Sequence, residues 1–288
     1  MHILITDSGV GGLSVVAYAE RFARTHGVME PVRLTFANAA PANDYGYNSM
    51  PSTEVKLRTF DRFLESVRRR YAPDMIYVAC NTLSVLLPDT PFFQRAAIPV
   101  KGIVETAAEL LVRELEADSR NTAMIFGTQT TIDAGAYPRL LMQRGVEASR
   151  IVSQACPRLA DTISEDREGA RTRMEIERWV GQAIEKMQDE GPVVACLACT
   201  HYGYRKDFFA GALAGVGICA RVVNPNERAV DDLFAAGSEG RSRNVEVELV
   251  TGYAIPENTI QALTWFLNDI SPRTVDAMRN FRLVPDLF

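Results

Sequence analysis

Two short apolar runs, each ending in a cysteine, constrain this chain more than anything else in it. Residues 75–84 read Met-Ile-Tyr-Val-Ala-Cys-Asn-Thr-Leu-Ser, and residues 193–201 read Val-Val-Ala-Cys-Leu-Ala-Cys-Thr-His. An apolar run of this length between polar segments reads as a parallel strand buried on both faces. The carboxyl end of such a strand opens into the crevice where α/β sheets bind ligands. Cys80 and Cys199 hold that place in the two runs. The expectation is that they face each other across one bound molecule.

The surrounding pattern repeats in the same way. Residues 2–6 read as a strand, followed by the turn Asp7-Ser8-Gly9-Val10-Gly11-Gly12-Leu13-Ser14 and a helix from about 11 to 25. A strand at 33–37, a polar loop at 38–51 and a helix at 53–70 lead to the first cysteine run, with Ser52 or Thr53 as cap. The order then begins again. A strand at 100–104 and a helix at 105–116 precede a strand at 122–126 and the turn Gly127-Thr128-Gln129-Thr130-Thr131-Ile132. A strand at 150–155 and a helix at 172–190 lead to the second run. A strand at 218–223, a helix to about 236, a strand at 245–252 and a helix at 258–269 follow. The tail from 272 is apolar enough to dock on the body or on another subunit. Strand, polar turn, helix, strand, helix, strand and cysteine occur twice, which predicts two similar α/β domains with mostly parallel sheets flanked by helices. The first comprises 1–98 with 212–288, the second 99–211, and the site lies in the cleft between them.

Composition excludes several classes. Net charge is −5, and Arg68-Arg69-Arg70 is the single cationic run, so a nucleic-acid partner is not expected. No apolar run approaches the roughly 18–20 residues of a membrane span, and the amino terminus carries no secretory leader pattern. The expected location is the cytoplasm, where five cysteines stay reduced. The glycine spacing after Asp7 is neither a dinucleotide fingerprint nor a nucleotide P-loop. It suits a small anion at a helix N-terminus. Cys196-x-x-Cys199-x-His201 invites a zinc reading, but no second cysteine pair supplies further ligands, and the expected metal is none. Cys156, Cys196 and Cys219 read as core fillers. Cys80 and Cys199 differ through their neighbours. Asp7 is expected at the adjoining strand end, and His201 lies two residues beyond Cys199. Both groups can move protons to and from thiols.

Four segments taken together resemble the glutamate racemase branch of the aspartate/glutamate racemase family. They are Asp7-Ser8-Gly9-Val10-Gly11-Gly12-Leu13-Ser14, Ala79-Cys80-Asn81-Thr82, Gly127-Thr128-x-x-Thr131-Ile132 and Cys199-Thr200-His201-Tyr202. The resemblance implies cofactor-independent racemisation at Cα of an amino acid, L-glutamate to D-glutamate, for peptidoglycan precursors. One cysteine removes the proton as thiolate, and the other delivers one to the opposite face as thiol. By resemblance, Asp7 assists Cys80 and His201 assists Cys199. Ser8, Tyr45, Gly46, Asn81, Thr82, Thr128, Thr131 and Thr200 line the substrate. A homodimer is also implied. The chain departs from the family pattern at Asp44, where proline is usual before Tyr-Gly, at Asn38 and Asn224, where aspartates are usual, and at Gly203, where proline follows the tyrosine. These departures leave aspartate or a neutral amino acid as alternative substrates. A non-catalytic amino-acid-binding protein on the same scaffold is the reading from another class.

Overall fold

Strands form where the apolar runs stand, and all of them pair in parallel. The computed structural model describes residues 1–25, 30–188, 191–235 and 244–288. Contacts between residues divide the chain into two units, Met1–Ile103 with Asn226–Phe288, and Val104–Pro225.

The first unit holds β1 (His2–Asp7), β2 (Val32–Asn38), β3 (Met75–Val78) and β4 (Val100–Gly102). The second holds β5 (Thr122–Gly127), β6 (Ile151–Ala155), β7 (Val193–Ala198) and β8 (Ala220–Val223). β9 (Val245–Thr251) and β10 (Arg282–Leu283) return to the first. The sheet orders are β10-β9-β2-β1-β3-β4 and β6-β5-β7-β8. In each sheet the chain leaves its first central strand to one side and then crosses to the other. The reversal falls between β1 and β3 in one sheet and between β5 and β7 in the other. Ligands of open α/β sheets bind at such reversals, outside the carboxyl ends of the strands.

Helices cover the sheets through their apolar stripes. The helix Thr53–Tyr71 buries Phe60, Phe63, Leu64 and Val67, and Ser52 caps it by accepting from the Val55 N–H at 3.3 Å. Burial of each such side chain contributes on the order of 1.5–3 kcal/mol. The helix expected at 172–190 spans Ala170–Ile184, and Glu190 lies outside the described residues. The helix expected to reach 236 spans Pro225–Leu233, and Ala236 also lies outside them.

The structure moves both domain boundaries. β4 pairs with β3, so residues 99–103 stay with the first unit. β8 pairs with β7, and the helix Lys206–Gly215 packs on Ala170–Ile184, so residues 212–225 belong to the second. The error came from reading 218–223 as a strand returning to the first sheet, when it extends the second. Cys219 is exposed rather than a core filler, because it precedes β8 at the sheet's edge; Cys156 and Cys196 are buried. The tail docks on its own unit. Its helix Pro272–Arg279 leads to β10, which adds to β9, and Leu287 is wholly buried. Among the described residues no helix is long and apolar enough to cross a membrane.

Candidate active site

In the first unit, the β1/β3 reversal gathers a carboxylate, a hydroxyl and a thiol. Asp7 is the last residue of β1, and Cys80 lies two residues past the end of β3. The register sets Thr6 beside Val78, and continuing it sets Ser8 beside Cys80. Ser8 Oγ is 3.0 Å from Cys80 Sγ. Asp7 and Cys80 are 1% and 5% exposed, so neither charge nor thiol is freely hydrated.

A glycine and a short helix make this packing possible. A Cβ on Gly12 would lie 2.8 Å from Asp7 Cβ and 3.0 Å from Asp7 Oδ2. The glycine turn therefore exists to let the helix Leu13–Thr25 begin against the carboxylate. Cys80 in turn is the N-cap of the short helix Asn81–Ser84. Ser84 Oγ donates to Val78 O at 3.1 Å and accepts from the Ile103 N–H at 2.9 Å, which fixes that helix to its strand.

Burial pushes the Cys80 thiol up to about 12, and the negative charge of Asp7 adds to the shift. Hydrogen bonds from Ser8 and from the Leu83 N–H act the other way, because they stabilise a thiolate. At neutral pH the resting group is a thiol. Asn81 and Thr82, at 1% and 2% exposure, continue from it into the helix.

The β5/β7 reversal repeats the scaffold with other side chains. β5 ends at Gly127, which pairs with Ala198, and continuing the register sets Thr128 beside Cys199. Thr128 thus stands where Ser8 stands, and Gly127 stands where Asp7 stands. Thr128 caps the helix Gln129–Asp133 by accepting from the Thr131 N–H at 3.3 Å, and the two threonine hydroxyls are 3.0 Å apart. Cys199 and Thr200 are buried. His201 is partly buried, and desolvation lowers its imidazole to about 4, so it is neutral at pH 7. Tyr202 anchors the turn. Its N–H donates to Cys199 O at 3.0 Å and its hydroxyl donates to Cys156 O at 3.1 Å.

The resemblance-based residues therefore fall into two groups by unit. Asp7, Ser8, Cys80, Asn81 and Thr82 share the first reversal. Thr128, Thr131, Cys199, Thr200 and His201 share the second. Tyr45 and Gly46 lie instead on the loop after β2, where Asp44 and Tyr45 are exposed. Asp44 thus meets solvent. Two other departures from the family pattern meet each other. A Cβ at Gly203 would lie 2.6 Å from Asn224 Nδ2, so the small residue makes room for the buried amide. The third, Asn38, is wholly buried and pairs in register with Asp7. Its Nδ2 donates to the Tyr253 hydroxyl at 3.0 Å. Tyr253 is a site neighbour that sequence reasoning missed, since 215 positions separate it from Asn38. Among the described residues no group of three or more His, Cys, Asp and Glu could hold a metal ion.

Known proteins are similar to this chain in sequence and fold. The chain is 28% identical over 199 residues to the glutamate racemase of Chlorobaculum tepidum, covering 69% of this chain and 66% of that protein. It is 26% identical over 254 residues to the glutamate racemase of Lactiplantibacillus plantarum, covering 86% of each. The structure of a Francisella tularensis glutamate racemase in complex with D-glutamate superposes with a TM-score of 0.70 at 19% identity, covering 92% of this chain and 93% of that one. At that identity the superposition speaks for the fold of two parallel sheets flanked by helices. The Asp/Glu/Hydantoin racemase family model matches residues 12–240, which include both cysteine strands and the whole of the second reversal, while β1 precedes the match. This chain belongs to the Asp/Glu/Hydantoin racemase family.

Proposed function

We propose that the chain racemises an amino acid at Cα without a cofactor, with Cys80 and Cys199 as the two bases and glutamate as the substrate. The observation that carries this reading is the repeat itself. Each sheet's reversal ends in a buried cysteine, and each cysteine has a proton-handling neighbour, Asp7 in one unit and His201 in the other. A binding protein has no need of two such thiols.

In the proposed reaction the Cys80 thiolate takes the Cα proton from one face, leaving a carbanion-like carbon. The Cys199 thiol delivers its proton to the other face and becomes the thiolate. The reverse direction exchanges the roles, and proton exchange with Asp7, His201 and solvent resets the pair. The buried Cys80 thiol, its pKa raised, suits this work once ionised, because a more basic thiolate is better matched to a weakly acidic Cα–H. The hydroxyl and amide groups of Ser8, Asn81, Thr82, Thr128, Thr131 and Thr200 would hold the ammonium and carboxylate and stabilise the developing charge.

Glutamate is favoured by the relatives named above. In this reading the product feeds peptidoglycan precursors in the cytoplasm, from a homodimer. Asp44 and Asn38 are the specific reasons to test other side chains, since both stand in segments that depart from the family pattern. The test is deuterium exchange at Cα in D₂O, followed by NMR, across glutamate, aspartate, alanine and serine. Fastest exchange with glutamate, with appearance of the D-enantiomer, is the expected result. Faster turnover of a neutral amino acid would reassign the substrate, and no exchange with any would overturn the racemase reading.

A further inference from the structure

Hydrogen-bond polarity around Asn38 leads to a residue that the family resemblance does not assign. Ala40 N–H donates to Asn38 Oδ1 at 2.9 Å. A backbone N–H can only donate, so this contact fixes which end of the buried amide is oxygen. Nδ2 must then face the other way, toward the Tyr253 hydroxyl at 3.0 Å and Thr251 Oγ1 at 3.5 Å. Thr251 completes the frame. Its hydroxyl donates to Tyr253 O at 2.9 Å and accepts from Tyr253 N–H at 3.3 Å. The phenol oxygen is therefore an acceptor from Asn38, and its own proton is directed elsewhere.

The sheet places the phenol near the first reversal. Tyr253 follows the carboxyl end of β9, β9 neighbours β2, and β2 neighbours β1. Asn38 and Asp7 end β2 and β1 in register. The phenol is partly exposed, unlike Asn38, and it feels the negative charge of Asp7. An aspartate at 38, as the family pattern has, would when ionised accept the phenol's proton and silence it. The amide leaves it available.

We propose that Tyr253, polarised and held by Asn38, is a specificity-determining hydrogen-bond donor of the Asp7–Cys80 site, and that it takes a carboxylate oxygen of the bound amino acid. This inference rests on the racemase reading for its ligand. The carboxylate is either that of the side chain or that on Cα.

Two measurements test it separately from the racemase reading. The first uses no substrate. With 3-fluorotyrosine incorporated at position 253, ¹⁹F NMR follows the phenol's ionisation. A hydrogen bond donated by Asn38 stabilises the phenolate, so Asn38→Ala should raise the ionisation pH. A lowered or unchanged ionisation pH means that the phenol does not accept from Asn38, and overturns the assignment. The second is kinetic, with thermal melting to verify the fold. Tyr253→Phe should raise KM about tenfold, the worth of one good hydrogen bond, with kcat little changed. A rise for glutamate but not alanine identifies the side-chain carboxylate and supports the specificity role; an equal rise for both identifies the Cα carboxylate and overturns that role. An unchanged KM for both overturns the donor role. If the wild-type protein exchanges no amino acid, the racemase reading and the ligand named here fall together, while the polarity of the Asn38–Tyr253 bond is still decided by the titration.

Discussion

The two sheet reversals offer one scaffold and two chemistries. In both, a buried cysteine follows a central strand and pairs in register with a small hydroxyl residue, Ser8 for Cys80 and Thr128 for Cys199. The ionisable neighbours come from different places. At the first reversal the carboxylate of Asp7 arrives from the adjoining strand, and its charge adds to the burial that holds the thiol protonated. At the second, glycine fills that position, and the imidazole of His201 comes from two residues beyond the cysteine and stays neutral. Repeated topology therefore delivers matched thiols, while electrostatics makes the two ends unequal. In the proposed two-base reaction, this lets each end be set for the enantiomer it meets.

The largest expected break of this comparison is at Asp7. Asp7→Asn should cut exchange at Cα by about 10²–10⁴-fold, the usual worth of a general acid–base group. The same change removes a charge that raises the Cys80 pKa, so alkylation of Cys80 by iodoacetamide at fixed pH should become faster. A slower reaction of the thiol in this variant would contradict the sign of the Asp7 effect. Mass spectrometry of the labelled peptide reads it.

Next come the two glycines that make room for buried polar side chains, Gly12 for Asp7 and Gly203 for Asn224. Gly12→Ala forces a Cβ to 2.8 Å from Asp7 Cβ, so the carboxylate must move. A misplacement of that kind costs on the order of 10²-fold in turnover. Gly203→Ala meets instead the end of the Asn224 side chain, which can shift more easily, and should cost about tenfold or less. Steady-state kinetics on the two variants orders them, and the reverse order would mean that the second reversal is the less tolerant.

The smallest effect sharpens the comparison through pH. The His201 imidazole falls from its ordinary 6.5 to about 4 on folding, so the unfolded chain binds more protons between those values. Stability should fall as pH drops through that window, by at most about 3 kcal/mol. Urea unfolding midpoints of the wild type and His201→Asn between pH 7 and pH 4 measure it. The variant should lose less across the window, and an identical loss would remove His201 as the cause.

Much of this was legible in the sequence, for physical reasons that also mark the limit. β3 and β7 are continuous apolar runs because parallel strands are buried on both faces, so their cysteine ends could be read directly. The glycine turn after Asp7 was visible because only small residues tolerate the contact at Gly12. β8 and β10 were misassigned or missed because a two- to four-residue edge strand carries almost no periodicity. Cys219 was misjudged for the same reason, since burial depends on which sheet its strand joins. Tyr253 was invisible because its importance arises from β9 lying beside β2, a pairing across more than two hundred positions.

The most direct test of the two-base account is exchange at Cα in D₂O by the wild type beside Cys80→Ser and Cys199→Ser, starting from each pure enantiomer of glutamate. The account predicts that both variants lose racemisation in both directions, because every turnover needs one thiolate and one thiol. Racemisation that survives in either variant would contradict it.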